Sequence, residues 1–123
     1  MQGNEPDVNK EDQQYINEYS RIYTKNKLVD AELKRINEVL ESLKDADQAI
    51  EEAFDSKIKL SIGESFVETD EDQAKVYVEK MRKNYTNEKN INMEKYNANK
   101  KRLDELKVIL YSKFGKRLRL DED

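Results

Sequence analysis

The sequence contains no cysteine, histidine or tryptophan, and only three glycines and one proline among its 123 residues. Without cysteine the chain has no disulfide, thiol nucleophile or cysteine-bound zinc. Without histidine it lacks the usual general base and the usual nitrogen ligand for metals. It also has no apolar run of about eighteen residues, and residues 1–10 have no apolar signal-peptide core, so we expect a soluble, cytoplasmic protein without a membrane partner.

Charge dominates what is present, since 41% of the residues are charged and 36% are hydrophobic. Few glycines and prolines leave few turns, and helix formers with charge on several faces are typical of a coiled coil. The 27 Asp and Glu residues outnumber the 23 Lys and Arg residues, giving a net charge of −4. This balance argues against nucleic acid as a partner, because neutralising phosphates requires a basic excess.

A first helix is predicted from about residue 10 to about residue 54. Asn9 is a suitable N-cap, and Glu11 and Asp12 lie in the first turn, where the helix dipole favours acidic side chains. A helix of this length, roughly 65 Å, needs a partner helix to be stable in water. Its stripe has the 3.5-residue period of a coiled-coil seam. The seam positions are Tyr15, Tyr19, Ile22, Asn26, Val29, Leu33, Ile36, Leu40, Leu43, Asp47, Ile50 and Phe54.

A β-hairpin is predicted at about residues 57–69. Polar and apolar residues alternate over 57–62, Gly63 can supply the positive φ of a tight turn, and 65–69 reads as the returning strand. Because a two-stranded ribbon is marginal alone and has unpaired edges, the hairpin predicts oligomerisation by sheet completion. The residues expected to carry assembly are Ile58, Leu60, Ile62, Gly63, Phe66 and Val67.

A second helix is predicted from about residue 71 to about residue 114, with Asp70 as its N-cap and Gly115 as its C-cap. Thr86 to Lys95 offers only Ile91 and Met93 as apolar residues, so we expect this stretch to be the loosest part of the coil. The seam positions are Ala74, Val78, Met81, Tyr85, Tyr96, Asn99, Leu103, Leu106 and Leu110.

The two helices must pack antiparallel if a short hairpin joins them. That register places Asn26 opposite Asn99, both at seam positions. One interpretation is that the two amides pair and fix the register at some cost in stability. The alternative is that each amide faces water where the seam is wet.

Other motifs carry little chemistry. Asp45-Ala46-Asp47 and Asp70-Glu71-Asp72 do not fit a calcium loop, because residues at later ligand positions are of the wrong type, so solvated helix faces or caps are expected. The basic run 113–119 is followed at once by the acidic residues 121–123, which favours a solvated tail over a nucleic-acid contact. We therefore expect no metal, no cofactor and no catalytic site.

Three segments carry a resemblance to one known family. They are residues 8–19, with Glu-Asp-Gln at 11–13, then Ile62-Gly63-Glu64-Ser65-Phe66, and finally Leu110-Tyr111-Ser112-Lys113-Phe114-Gly115. The segments occur in order and span roughly residues 8–120. They resemble the opening of the first helix, the hairpin and the C-terminal motif of the prefoldins, and within that family the subunit 4 branch of the β-type members.

This resemblance implies a mainly α fold: a long antiparallel two-helix coiled coil whose single hairpin completes a β-barrel in an oligomer. It implies one domain at 9–120, between a flexible tail (1–8) and an acidic tail (121–123). The implied partners are the other subunits of a hetero-hexamer with two α-type and four β-type members, unfolded clients such as actin and tubulin, and the cytosolic chaperonin. The implied activity is a co-chaperone's capture of unfolded chains, without enzymatic turnover or ATP.

The apolar residues near the ends of the helices are the candidate client-binding residues. Several lie off the strict seam and widen the apolar stripe, where little is available to bury them. They are Ile16, Val108, Ile109, Tyr111 and Phe114. One departure from the family is the basic Lys116-Arg117-Leu118-Arg119-Leu120, where a polar stretch is usual, so contacts there are expected to differ in detail. The alternative function is a structural scaffold or tether, which has no need of a hairpin in a coiled coil.

Overall fold

The computed structural model describes the backbone of residues 7–60 and 68–115 and the side chains of residues 7–55 and 71–115. Helix α1 spans Lys10–Leu60 and helix α2 spans Glu68–Phe114. Within the described ranges the secondary structure is helical, with no strand. The prediction of two long helices is therefore confirmed.

The predicted strands are wrong where the structure describes them. Residues 57–60 continue α1, and residues 68–69 begin α2, so Asp70 lies inside the helix and is not its N-cap. The physical reason is local, because adding Lys and Leu residues to an existing helix is favourable. A two-stranded ribbon, by contrast, is marginal without further strands. Residues 61–67, which hold the rest of the predicted hairpin, lie outside the described residues.

The beginning of α1 is closed by a capping box. The Asn9 side-chain oxygen accepts a hydrogen bond from the backbone N–H of Asp12 (2.8 Å), and the Asn9 N–H donates to the Asp12 carboxylate (3.1 Å). The Asn9 carbonyl also accepts the first helical hydrogen bond, from Gln13 (3.0 Å). The two bonds that involve a side chain satisfy N–H groups that a helix N-terminus leaves without a partner. The predicted N-cap is confirmed.

The end of α2 is closed by Gly115, whose φ of +61° lies in the left-handed region. Glycine reaches this region without the steric cost that a Cβ atom brings, which makes it the usual residue after a helix C-terminus. Lys113 lies in the last turn, where the helix dipole favours a cation.

The chain divides into two compact units, Met1–Ala31 with Met93–Asp123, and Glu32–Asn92. We call the first the terminal unit and the second the middle unit. Each contains one part of α1 and one part of α2 packed antiparallel. In the middle unit Leu33, Ile36 and Val78 are buried, and the Lys75 ammonium contacts the Glu51 carboxylate at 3.3 Å.

The core of the terminal unit is built around Tyr19, Leu103 and Leu106, against which further aromatic and aliphatic side chains pack. Those partly buried side chains are Tyr15, Ile22 and Tyr23. Leu110 is also buried, with 1% of its surface exposed. Since these side chains come from both helices, the terminal unit depends on their pairing.

The predicted seam is confirmed position by position. Each predicted position on α1 from Tyr15 to Phe54, and on α2 from Ala74 to Leu110, is buried or half-buried. In the stretch from Thr86 to Lys95 the two apolar residues do not contribute to the seam, since Ile91 and Met93 are 53% and 39% exposed. The half-buried positions there belong to the polar residues Lys89 and Asn92.

The antiparallel register is confirmed in the terminal unit by the pair predicted from sequence. The Asn99 side-chain amide donates a hydrogen bond of 3.2 Å to the Asn26 side-chain oxygen, and Asn26 is 8% exposed. This geometry supports the paired interpretation over the solvated one. Two amides at a seam position favour the alignment that lets them pair, because any shift leaves a polar group against apolar neighbours.

Candidate functional site

An apolar surface lies near the end of α2 in the terminal unit. Val108 is 70% exposed and Ile109 is 38% exposed, while Tyr111 is half-buried. On α1, Ile16 is also half-buried, and the register that pairs Asn26 with Asn99 places it at the level of Ile109. We call Ile16, Val108, Ile109 and Tyr111 the terminal patch. Four of the five sequence-predicted client-binding residues thus retain exposed apolar surface.

Phe114 is the exception, and the expectation that it is exposed is wrong. It is buried, with 6% of its surface exposed. The Lys113 ammonium lies 5.4 Å from the centroid of its ring, which is within the range of a cation–π contact. Phe114 therefore belongs to the packed end of the terminal unit and not to the terminal patch.

An ion pair joins α1 to α2 in the terminal unit, near the terminal patch. The Arg102 guanidinium donates two hydrogen bonds to the Glu18 carboxylate, from Nε (2.7 Å) and from Nη2 (2.9 Å). A third bond runs from Nη1 to Glu105 (3.2 Å). Hydrogen bonding from Arg102 lowers the pKa of the Glu18 carboxyl, and the two glutamates raise the pKa of Arg102. The bidentate geometry fixes both helices in one alignment.

A second ion pair joins the beginning of α1 to the end of α2. The Lys113 ammonium contacts the Asp12 carboxylate, whose residue is only 7% exposed. The hydrogen bond from Lys113 and that from the Asn9 backbone lower the pKa of Asp12 against the opposing effect of burial. One carboxylate thus completes the capping box of α1 and binds α2.

A groove between the helices lies in the same unit. It has a volume of about 230 Å³. Aromatic and aliphatic side chains line it, namely Tyr19, Tyr23, Tyr96 and Leu103. Three lysines, Lys27, Lys100 and Lys107, line it too, together with Asn26, Asp30 and Asp104. The rings of Tyr19 and Tyr23 are stacked at 6.1 Å, and the Lys27 ammonium lies 5.0 Å from the Tyr23 ring centroid. We call this the tyrosine groove.

The structure describes no side chain of the residues that the sequence predicts to carry assembly. Ile58 and Leu60 belong to the last turns of α1, but their side chains lie outside the described set. Ile62, Gly63, Phe66 and Val67 lie outside the described residues altogether. Their role in assembly remains a prediction from the sequence.

The described part of the chain shows no group of three or more acidic side chains arranged to hold a metal ion. Neither described helix has an apolar stretch long enough to cross a membrane. Among the described side chains, every buried nitrogen or oxygen atom has a hydrogen-bond partner. What the terminal unit offers is therefore exposed apolar surface on a well-paired helical frame.

Sequence reasoning missed the Glu18–Arg102 pair and the tyrosine groove. Both involve positions that flank the seam, and a seam-based reading assigns such positions to solvent. A signal was available for the ion pair, because oppositely charged residues beside the seam on facing helices commonly pair across a coiled coil. The groove had only a faint signal, the four-residue spacing of Tyr19 and Tyr23.

Comparison with known proteins agrees with this architecture. The family model described as "Prefoldin subunit" matches residues 13–117. Prefoldin subunit 4 of Saccharomyces cerevisiae is 31% identical over 121 residues, covering 98% of this chain and 94% of that protein. A probable prefoldin subunit 4 of Dictyostelium discoideum is 35% identical over 120 residues, covering 96% and 90%. Prefoldin subunit 4 of Bos taurus is 30% identical over 115 residues, covering 92% and 86%.

No solved structure gives a significant match to the chain. The family model nevertheless covers most of the sequence, from within the first turns of α1 to beyond the end of α2. The relatives match over nearly their whole length. The chain belongs to the prefoldin family.

Proposed function

We propose that the chain is a β-type subunit of a hetero-hexameric prefoldin, most similar to subunit 4, with two α-type and four β-type members. In this proposal it captures unfolded polypeptides of the actin and tubulin kind in the cytoplasm, without ATP, and delivers them to the cytosolic chaperonin. Membership of the prefoldin family implies a chaperone function. The finer assignment rests on the terminal patch.

The observation that carries the proposal is the exposure of Val108 and Ile109. Both are β-branched apolar side chains on a helix whose core residues, Leu106 and Leu110, are almost completely buried. The core is therefore packed without these two side chains. Covering their exposed surface with another apolar group would be favourable, because it removes apolar surface from water. Several such patches in one hexamer would hold a client by avidity, each contact being weak.

Assembly is assigned to the segment around residues 58–67. In the isolated chain α1 is helical through Leu60, which fits a segment that becomes a strand only when partner strands complete a sheet. Strand pairing removes the unsatisfied edges that make a lone ribbon marginal. Partner subunits would thus supply the free energy that converts the end of α1.

The test of client capture replaces Val108 and Ile109 with Ser in a reconstituted hexamer. Leu28→Ser is the control, because Leu28 is an apolar side chain of the terminal unit that lies outside the patch and is about as exposed as Val108 (68% against 70%). We expect weaker suppression of aggregation when an unfolded client is diluted from denaturant, measured by light scattering. The loss should grow as matching changes are made in further subunits.

The result against client capture is equal scattering for the patch variant, the control and the parent hexamer, with every subunit altered. That outcome would favour the alternative, a structural scaffold that uses the coil for a fixed helical partner. Circular dichroism of each variant checks that the helices are retained, so a loss of activity cannot come from unfolding.

The test of assembly replaces Leu60 with Asp, which would place an unpaired charge at a strand contact. Ile91→Asp is the control, because Ile91 is 53% exposed in the middle unit. After co-expression with the other subunits, size-exclusion chromatography should show loss of the hexamer for the first variant alone. A hexamer that still forms with Leu60→Asp would contradict the assignment of the assembly surface to this segment.

A further inference from the structure

We propose that Arg102 is a positioning residue for client capture. Its ion pair with Glu18 holds the α1 part of the terminal patch level with the α2 part, so that one extended client segment contacts both helices. This inference rests on the proposed capture of unfolded chains. It adds that the affinity of an apolar patch depends on a charged contact beside it.

Two ion pairs between the helices flank the terminal patch. Glu18 pairs with Arg102 on one side of it, and Asp12 pairs with Lys113 on the other. On α1, Ile16 lies between the two acidic residues, and on α2 the other three patch residues lie between the two basic ones. The alignment of α1 with α2 is therefore set by charged contacts on both sides of the patch.

Apolar packing alone leaves this alignment less well defined. Leu106 and Leu110 are almost completely buried, but hydrophobic burial is not directional, so it changes little when one helix shifts slightly along the other. The hydrogen bond between Asn26 and Asn99 sets the register ten residues before Ile109, roughly 15 Å away along α2. A directional contact closer to the patch is needed to hold its two parts level.

The ion pair of Arg102 has the geometry of such a contact. Its guanidinium donates hydrogen bonds of 2.7 and 2.9 Å to the Glu18 carboxylate, and a third bond of 3.2 Å joins it to Glu105, about one turn before Ile109. Two parallel charge-assisted bonds require one distance and one orientation, so sliding a helix by one turn, about 5.4 Å, would break both.

The exposure of this ion pair separates its effect on alignment from its effect on stability. The side chains of Arg102 and Glu18 are 38% and 25% exposed. Ion pairs that are exposed to this degree contribute little to stability. Removing the pair should therefore leave both helices folded and packed while it widens the range of alignments that they adopt.

The expected loss follows from the fraction of chains whose patch is aligned. A client segment that spans both helices binds the aligned form, so its apparent affinity falls in proportion to that fraction. If the helices without the ion pair are aligned about half of the time, about half of the patch's contribution to client binding is lost. Arg102→Met tests this directly, because methionine keeps an unbranched apolar stem without the charge.

Arg82→Met is the matched control. Arg82 also lies on α2, is 47% exposed and pairs with a glutamate at 2.5 Å, but that glutamate, Glu79, belongs to the same helix in the middle unit. Both substitutions remove one positive charge. Glu18→Gln is a second test variant, which removes the charge from the other side of the ion pair and should reproduce the effect of Arg102→Met.

The first measurement is light scattering from chemically unfolded actin diluted into reconstituted hexamer. We expect Arg102→Met and Glu18→Gln each to cause about half of the loss of suppression that replacing Val108 and Ile109 with Ser causes. Arg82→Met should match the parent. Circular dichroism at the assay temperature verifies that each variant keeps its helices.

The second measurement reports alignment and not stability. Because the chain has no cysteine, Ser20→Cys and Ser112→Cys introduce one spin-label site on each helix, both at exposed positions of the terminal unit. The distribution of distances between the labels should be wider with Arg102→Met than in the parent background and unchanged with Arg82→Met. About 1 M NaCl, where the Debye length is about 3 Å, should widen the parent distribution towards that of Arg102→Met.

The outcomes separate this inference from the proposed function. If the Val108 and Ile109 variant is impaired while Arg102→Met suppresses aggregation as well as the parent, the inference is overturned and the proposed function stands. Impaired suppression by Arg102→Met with an unchanged distance distribution also overturns the inference, because the loss then has another cause. Unchanged suppression by the Val108 and Ile109 variant would overturn both.

Discussion

Truncating Phe114 to Ala should destabilise the chain strongly, whereas truncating Val108 to Ala should hardly affect it. Phe114 is 6% exposed, so nearly all of the free energy gained by burying its ring is lost in the variant. Replacing a buried Phe by Ala costs about 3–5 kcal/mol, and the last turn of a helix can relax into the space, so we expect about 3 kcal/mol. Val108 is 70% exposed, and we expect less than about 0.5 kcal/mol.

The measurement is thermal unfolding of the isolated chain followed by circular dichroism. For a chain of this size about 1 kcal/mol corresponds to a shift of about 3–5 °C in Tm. The Phe114→Ala variant should therefore melt about 10 °C below the parent, and the Val108→Ala variant within about 2 °C of it. Equal small shifts for both variants would refute the burial argument and return Phe114 to the candidate client-binding residues.

Three further predictions concern the polar contacts of the terminal unit. Asn99→Leu alone should lower the stability by about 1 kcal/mol, because the Asn26 oxygen loses its donor, while replacing both residues with Leu should raise the Tm; denaturant titration measures both. Asp12→Asn should lower the Tm at neutral pH. The pKa of Asp12 is lowered in the folded chain by hydrogen bonds from Lys113 and from the Asn9 backbone. The contribution of Asp12 to stability is therefore complete above the unfolded pKa of about 3.9 and is lost as the pH falls through the lower folded value. Melts at decreasing pH should show the difference in Tm between the parent and the variant shrinking. Arg102→Lys should lower the Tm slightly, and less so at high salt, because an ammonium cannot make the two parallel hydrogen bonds of the guanidinium.

The sequence predicted those features that depend on local patterns. The seam follows from a period of 3.5 residues, and burial of one stripe is the main way in which a long helix becomes stable. The Asn9 cap and the Gly115 cap follow from the backbone chemistry of helix ends. The pairing of Asn26 with Asn99 followed once the register was fixed, because both positions fall on the seam.

The failures have physical reasons of their own. The strict seam steps from Leu110 to Lys113, but a helix with 3.6 residues per turn drifts from that period, and near its end it buries Phe114 instead. This leaves Lys113 free of the seam to contact Asp12. The alternation at 57–62 spans only six residues, and in its described part, 57–60, the growth of an existing helix outweighs so short a pattern. The tyrosine groove depends on side chains from both helices, which no local pattern records.

The sequence separation of the paired residues has a consequence for the order in which the contacts form. Lys75 and Glu51 are 24 positions apart, whereas Asp12 and Lys113 are 101 apart. Closing the longer loop from the unfolded chain costs about 1 kcal/mol more in entropy, a cost that disappears once the nearer contacts have formed. Pairing should therefore form first in the middle unit, and the terminal unit should open first. Amide hydrogen exchange should accordingly be faster in 10–31 and 93–114 than in the paired helices of 32–55 and 71–92.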